Sequence, residues 1–196
     1  MPPSLMLAST SRYRAALLER LGMPFTTEAP GVEETARAGE APAARALRLA
    51  EAKAAAVAAR HPDGWVLGSD QLAVRDGQVL GKPLDADRCR AQLLASSGRD
   101  VSFLTAACLL HADRGVRLAH LDTTLVRFRT LDPREVDRYV ELERPFDCAG
   151  GFKCEGLGIA LFERIESVDP TALIGLPLIW VARALREAGL DPLDGK

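Results

Sequence analysis

The stretch from Trp65 to Pro83 constrains the fold more than any other part of the chain. Apolar runs, Trp65-Val66-Leu67 with Leu72-Ala73-Val74 on one side and Val79-Leu80 on the other, flank Asp76-Gly77. That dipeptide tolerates the positive φ angles of a tight two-residue turn, so the pattern predicts a β-hairpin. The first run is interrupted by Gly68-Ser69-Asp70-Gln71, which sets an acid and an amide inside an otherwise buried strand. A carboxylate there is costly unless it is paired, hydrogen-bonded or bound to a metal. The second run ends in Gly81-Lys82-Pro83, and pairing about the turn is expected to bring Asp70 and Lys82 to the same end of the hairpin. A strand-end acid and a solvated lysine would leave the same local pattern. Other segments decide between these readings.

Leu5 to Ala8 reads as a buried strand that breaks at Ser9-Thr10-Ser11. Ala15, Leu17, Leu18 and Leu21 then recur at helical spacing, with Gly22 as the stop. A strand entering a Ser/Thr turn and a helix start offers free N–H groups and a favourable dipole to an anion. Arg12 and Arg14 oppose that dipole, so a phosphate ligand would explain them better than helix stability does. Phe25 to Val32 is expected to be a strand leading to Glu33-Glu34, with residues 35–42 as a loop. Pro42 to Arg60 is an Ala-rich helix stopped by His61-Pro62-Asp63-Gly64. Lys53 sits inside it among alanines, and two placements are open: aimed inward at close quarters, or on a solvated face.

Beyond the hairpin the pattern gives a helix from Asp85 to Ser96 and a long apolar strand from Val101 to His111. Asp113-Arg114-Gly115 turns the chain into one or two strands between Val116 and Phe128. A helix opened by Asp132-Pro133 runs to about Leu142. A loop rich in glycine follows, from Arg144 to Gly158, then a strand from Ile159 to Ile165 and a final helix from Pro177 to Ala188. The mixture of strands and helices without a regular βαβ rhythm implies an α/β fold. No repeat or linker interrupts it, so residues 1–196 are expected to form a single domain in two lobes.

Composition excludes several classes. A net charge of −2 leaves no basic footprint for nucleic acid polymers. No apolar run is long enough to cross a membrane, and Met1-Pro2-Pro3-Ser4 begins nothing like a signal peptide, so a cytoplasmic location is expected. The four cysteines form no C-x-x-C pair and the three histidines do not cluster with them, which argues against a zinc site.

Separated segments nevertheless carry one kind of chemistry. Ser9, Ser11 and Arg14 offer donors and a cation at a helix start, and Lys53 and Lys82 are further cations. Glu33, Glu34 and Asp70 are acids. Cations bind phosphates, and carboxylates beside phosphates imply a divalent metal, Mg²⁺ or Mn²⁺, and a base for water. Neither a Walker motif nor G-x-G-x-x-G occurs, so the usual P-loop and dinucleotide-binding readings fail.

Leu7-Ala8-Ser9-Thr10-Ser11, Glu33-Glu34, Lys53, Gly68-Ser69-Asp70-Gln71, Gly81-Lys82-Pro83, Ala149-Gly150 and Gly175-Leu176-Pro177 resemble, in order, the motifs of the Maf family of nucleotide pyrophosphatases. The resemblance implies a mixed, elongated sheet flanked by helices, with two lobes around a deep cleft as in inosine triphosphatases. It implies metal-dependent hydrolysis of a nucleoside triphosphate to the monophosphate and diphosphate, with Asp70 as proton acceptor. Ser9, Ser11, Arg14, Lys53 and Lys82 would bind substrate, and Glu33 or Glu34 would join Asp70 at the metal. A homodimer is also implied.

The chain departs from the common Ser-Pro-Arg-Arg pattern with Ser11-Arg12-Tyr13-Arg14. Tyr13, Gln71 and the run Phe152-Lys153-Cys154-Glu155-Gly156 resemble the subgroup acting on 7-methyl-GTP. The chemistry is consistent: an aromatic face attracts a cationic base, and a carboxylate such as Glu155 accepts from the adjacent N1–H and N2–H of guanine. The alternatives are the sister activity on dTTP and UTP, and a non-catalytic nucleotide-binding regulator of septum formation.

Overall fold

The structure is a computed structural model and describes residues 5–194; the leader-free reading of Met1 to Ser4 lies outside the described residues. In chain order the elements are β1 (Leu5–Ala8), α1 (Arg12–Glu19), β2 (Thr26–Thr27), α2 (Pro42–Ala58), β3 (Trp65–Arg75), β4 (Gln78–Leu80), α3 (Ala86–Ser96), β5 (Asp100–His111), β6 (Val116–Phe128), α4 (Pro133–Glu143), β7 (Phe162–Glu166) and α5 (Leu178–Glu187). The strands form a mixed sheet flanked by helices. The chain divides into two compact units.

The first unit holds residues 5–70, 105–122 and 169–194. Its strands run in the order β2-β1-β3-β5-β6, with β1 parallel to both β2 and β3. Leu7, Leu67, Leu109, Leu176 and Leu185 are fully buried, packed with Leu18, Trp65 and Trp180 into one apolar core. Parallel strands covered by helices need such near-continuous apolar runs. The core thereby fixes the carboxyl ends of β1 and the 65–70 segment, where Ser9 and Asp70 stand.

The second unit holds residues 71–104 and 123–168. Here β4 pairs antiparallel with β3, and β7 pairs antiparallel with β6. Asp76 and Gly77 take φ of 50° and 78°, the two positive angles that a tight hairpin turn demands. Phe152 and Phe162 meet edge to face with ring centroids 4.7 Å apart, and Phe103 and Phe128 complete the aromatic core. Asp132 and Glu135 form a reciprocal capping box at the start of α4.

Three expectations need correction. The strand expected over Phe25 to Val32 shrinks to Thr26–Thr27. Pro30 lacks a donor for the ladder and Gly31 turns the chain at φ 61°, so pairing cannot continue. The strand expected from Ile159 begins only at Phe162, because Leu157–Leu161 winds into a short 3-10 turn. The hairpin ladder pairs Ala73 with Leu80, Val74 with Val79 and Arg75 with Gln78. Neither Asp70 nor Lys82 belongs to that paired stretch.

Candidate active site

Leu7 and Ala8 are wholly buried in β1, and the chain leaves the sheet at Ser9. Ser9 Oγ accepts from Ser11 N at 3.1 Å, and Ser11 caps α1 by accepting from Arg14 N at 3.4 Å. Both hydroxyls thus build the turn as acceptors and keep their own hydrogens to donate. Arg14, half-buried in the first turn, reaches back to Ser9 Oγ with Nη1 at 3.5 Å and donates Nε to the Gly175 carbonyl at 3.0 Å. Desolvation pulls its pKa down, while the charges of Asp70 and Glu34 pull it up.

The centre of the site is Lys53. A Cβ added to Gly68 would fall 2.3 Å from the Ala50 carbonyl oxygen and 2.6 Å from Ala54 N, so β3 and α2 touch backbone to backbone. Small residues on both sides make this approach possible. At that range the Lys53 side chain turns inward, and Nζ donates to Asp70 Oδ1 at 2.7 Å. Nζ also contacts Glu34 Oε1, at 2.6 Å. Lys53 and Asp70 are buried, whereas the Glu34 side chain is 58% exposed. The inward placement of Lys53 is the one adopted.

Sequence reasoning assigned no role to Ser69 or Gly175. Ser69, fully buried, donates Oγ–H to the Gly175 carbonyl at 3.0 Å, so that one oxygen holds both Ser69 and Arg14. The Gly175 loop is itself locked from below. Buried Asp169 accepts from Thr171 N and Thr171 Oγ1, and its second oxygen accepts from Ile179 N at 2.7 Å, capping α5 from ten residues upstream. The Gly175-Leu176-Pro177 motif marked this loop in sequence, but the bonds of its carbonyl to Ser69 and Arg14 are tertiary and have no local signature.

The remaining sequence candidates lie as follows. Glu33 is exposed and accepts from Thr35 Oγ1 at 2.8 Å, so of the two glutamates it is Glu34 that meets Lys53. Tyr13 is half-buried; the Arg12 guanidinium lies over its ring, 4.9 Å from the centroid, and Nη2 donates to the phenol oxygen at 2.8 Å. In the second unit Gln71 is half-buried and Lys82 exposed. Glu155 is exposed and accepts from the Cys154 thiol at 3.6 Å. Burial, with the Glu155 carboxylate second, pushes that thiol up to about 12. The loop carrying Glu155 is tied to α4: Lys153 N donates to Tyr139 OH at 3.0 Å and Lys153 Nζ to the Glu143 carbonyl at 2.7 Å.

Among the described residues no group of three or more His, Cys, Asp and Glu side chains gathers as a metal centre. The pair Glu34 and Asp70, both drawn to one ammonium, is a different donor set. It fits a Mg²⁺-type cation, which takes one or two carboxylates and fills its remaining positions with water and substrate phosphates.

The turn from β1 into α1, with its hydroxyls and Arg14, and the buried Lys53–Asp70 pair lie in one unit of a mixed α/β fold, which sets donors, cations and a carboxylate in the class of groups that phosphorylated substrates require. Residues 4–188 match the family model described as Maf-like protein, and this chain belongs to that family. It is 57% identical over 189 residues to a 7-methyl-GTP pyrophosphatase of Xanthomonas oryzae pv. oryzae, covering 96% of this chain and 98% of the relative. A 7-methyl-GTP pyrophosphatase of Bordetella pertussis is 53% identical over 195 residues, covering 99% and 96%. Among solved structures, the Staphylococcus aureus Ham1 protein aligns with 79% of this chain and 89% of its own at 13% identity, with a TM-score of 0.46.

Proposed function

We propose that this protein is a nucleotide pyrophosphatase that hydrolyses 7-methyl-GTP to 7-methyl-GMP and diphosphate. The observation that carries the reading is the Lys53 ammonium held between Asp70 and Glu34, in the same unit as the Ser9–Arg14 turn. The relatives' names supply the substrate. Ser9 and Ser11 hydroxyls, the free N–H groups of α1 and the Arg14 guanidinium bind the phosphate chain, with Lys53 and Lys82 as further cations. Water attacks at the α,β anhydride linkage; the new P–O bond forms as the bridging bond breaks, and diphosphate leaves with the negative charge. Asp70 accepts the proton of that water. Lys53 occupies Oδ1, so the proton goes to Oδ2 and the ammonium orients the base. Positive charge from Arg14 stabilises the oxygens on which charge develops. Glu34 and Asp70 would hold a Mg²⁺ or Mn²⁺, which supplies Lewis-acid stabilisation of the phosphates when bound. Tyr13, Gln71 and Glu155 read the base.

The test is diphosphate release from a panel of 7-methyl-GTP, GTP, dTTP and UTP with Mg²⁺ or Mn²⁺. The expected result is the highest kcat/KM on 7-methyl-GTP. A preference for dTTP or UTP would move the chain to the sister activity. Binding with no turnover on any nucleotide would leave a non-catalytic regulator.

A further inference from the structure

We infer that Arg45 and Arg48 of α2 are positioning residues that hold the Glu34 carboxylate against Lys53, an inference that rests on the hydrolysis proposed above. Residues 28–41 form neither helix nor strand, yet Glu34, in the middle of them, makes a 2.6 Å contact with a buried ammonium. An irregular segment does not hold a side chain at that distance unless its backbone is tied down. Arg45 Nη2 donates to the Glu34 carbonyl at 2.8 Å, and Arg48 Nη2 donates to the Thr35 carbonyl at 3.2 Å. The Arg48 fork also grips Glu40: Nε donates to one carboxylate oxygen and Nη2 to the other at 2.7 Å. Glu40 closes the loop on itself by accepting from Arg37 N at 3.1 Å. The loop is thus bonded to α2 at Glu34, Thr35 and Glu40.

The helix makes this a device rather than a set of surface bonds. Arg45 stands two turns before Lys53, on the same stripe of α2, and Arg48 lies between them. One rigid element therefore carries both the clamp and the ammonium to which the clamp delivers Glu34. The planar guanidinium of Arg48 is essential, because it bonds a carbonyl and a carboxylate at once; a lysine there supplies charge without the fork.

A double-mutant cycle with an exchange measurement tests the inference. Arg48→Ala and Arg48→Lys are each expected to lower kcat/KM about tenfold in the wild-type background, and less than about twofold in a Glu34→Ala background, because the effect runs through Glu34. Hydrogen exchange of the amides of residues 34–40 should accelerate in Arg48→Ala, while exchange in α2 stays unchanged. Equal losses in both backgrounds, or unchanged exchange of the loop, would overturn the inference. So would acceleration throughout α2, which marks general loosening. The exchange result does not depend on turnover. A loosened loop in a protein that hydrolyses no nucleotide condemns the functional reading, whereas hydrolysis with an unmoved loop condemns the clamp alone.

Discussion

Lys53 Nζ stands 2.7 Å from Asp70 Oδ1, with side-chain exposures of 8% and 7%. The pair joins the middle of α2 to β3, so the proposed base and the structural tie are one group. This changes what substitution of the base should do. On sequence alone Asp70→Asn is a clean catalytic knockout that leaves the fold untouched. With a buried ammonium on Oδ1, the same change leaves Lys53 facing a neutral amide.

Asp70→Asn should therefore lower kcat at least a hundredfold and also destabilise the fold by about 1–3 kcal/mol, the cost of weakening a buried charge-assisted bond. Lys53→Met removes the cation outright and strands a buried carboxylate, at a cost of about 3–5 kcal/mol. Combining Lys53→Met with Asp70→Leu should recover most of that stability and none of the activity. Urea unfolding of the three variants reads these effects. A Lys53→Met variant as stable as wild type would show that Asp70 does not depend on its partner.

Gly68→Ala probes how the pair is brought together. The added methyl would sit 2.3 Å from the Ala50 carbonyl oxygen, so α2 must retreat from β3. Overpacking of this kind costs about 1–3 kcal/mol. Because Lys53 rides on the retreating helix, kcat/KM should fall more than the stability change explains, while activity per folded molecule stays intact in a surface control such as Ala16→Ser. Full activity in folded Gly68→Ala would show that the close approach serves packing only.

The Glu40–Arg48 pair gives a pH signature. Its bond to Arg48, first among several contacts, holds the Glu40 carboxyl down to about 2, from an ordinary value of 4.5. Between those values the unfolded chain binds the proton and the folded chain does not. The contribution is complete above pH 4.5 and is lost as pH falls through about 2. Glu28 and Glu135 are lowered by their arginine partners as well, so wild type keeps an acid slope from several sources. Glu40→Gln should show a shallower loss of stability between pH 5 and pH 2 than wild type, in paired urea titrations. Superimposable pH profiles would mean that Glu40 contributes nothing in the folded state.

What could be read from the sequence followed from local rules. The Asp76-Gly77 turn, the break at Ser9-Thr10-Ser11 before α1, the stop of α2 after its alanines and the opening of α4 at Asp132-Pro133 each depend on a few neighbouring residues. Lys53 and Asp70 were both legible as candidates, because a charge among alanines and a charge in an apolar strand each demand an explanation. Their contact was not, since it depends on Gly68 meeting Ala50 and Ala54 across two elements. The strand expected over Phe25 to Val32 was cut short by local signals instead, the missing donor of Pro30 and the turn at Gly31. Glu28 is taken by Arg60 and His61 beyond the end of α2, which no local pattern announces. Nothing local singles out Arg45 and Arg48 within α2, because their partners lie in the loop before it.

Base choice is the finest reading and carries the last prediction. Tyr13 is proposed to offer its ring to the cationic 7-methylguanine, yet the Arg12 guanidinium lies over that ring at 4.9 Å. Arg12 is exposed, so its hold on the ring amounts to about 0.5–1 kcal/mol, whereas a desolvated cation gains about 2 kcal/mol or more. The methylated base can therefore compete for the ring or use its other side. If it competes, Arg12→Ala lowers KM for 7-methyl-GTP and leaves that for GTP unchanged. Tyr13→Ala should weaken 7-methyl-GTP more than GTP, since only the former is cationic at neutral pH. Glu155→Gln opposes an amide N–H to one of the two guanine donors, which costs about 1–3 kcal/mol in a desolvated contact. It lowers kcat/KM for 7-methyl-GTP and for GTP, which both carry those donors, by about tenfold or more, and leaves dTTP and UTP, which lack them, unaffected. The preference for 7-methyl-GTP over dTTP should shrink by that factor. Steady-state kinetics on the four nucleotides distinguish these outcomes. Equal losses on methylated and unmethylated GTP in Tyr13→Ala would return Tyr13 to a packing role beside Arg12, and loss on dTTP equal to that on 7-methyl-GTP in Glu155→Gln would take the carboxylate out of base recognition.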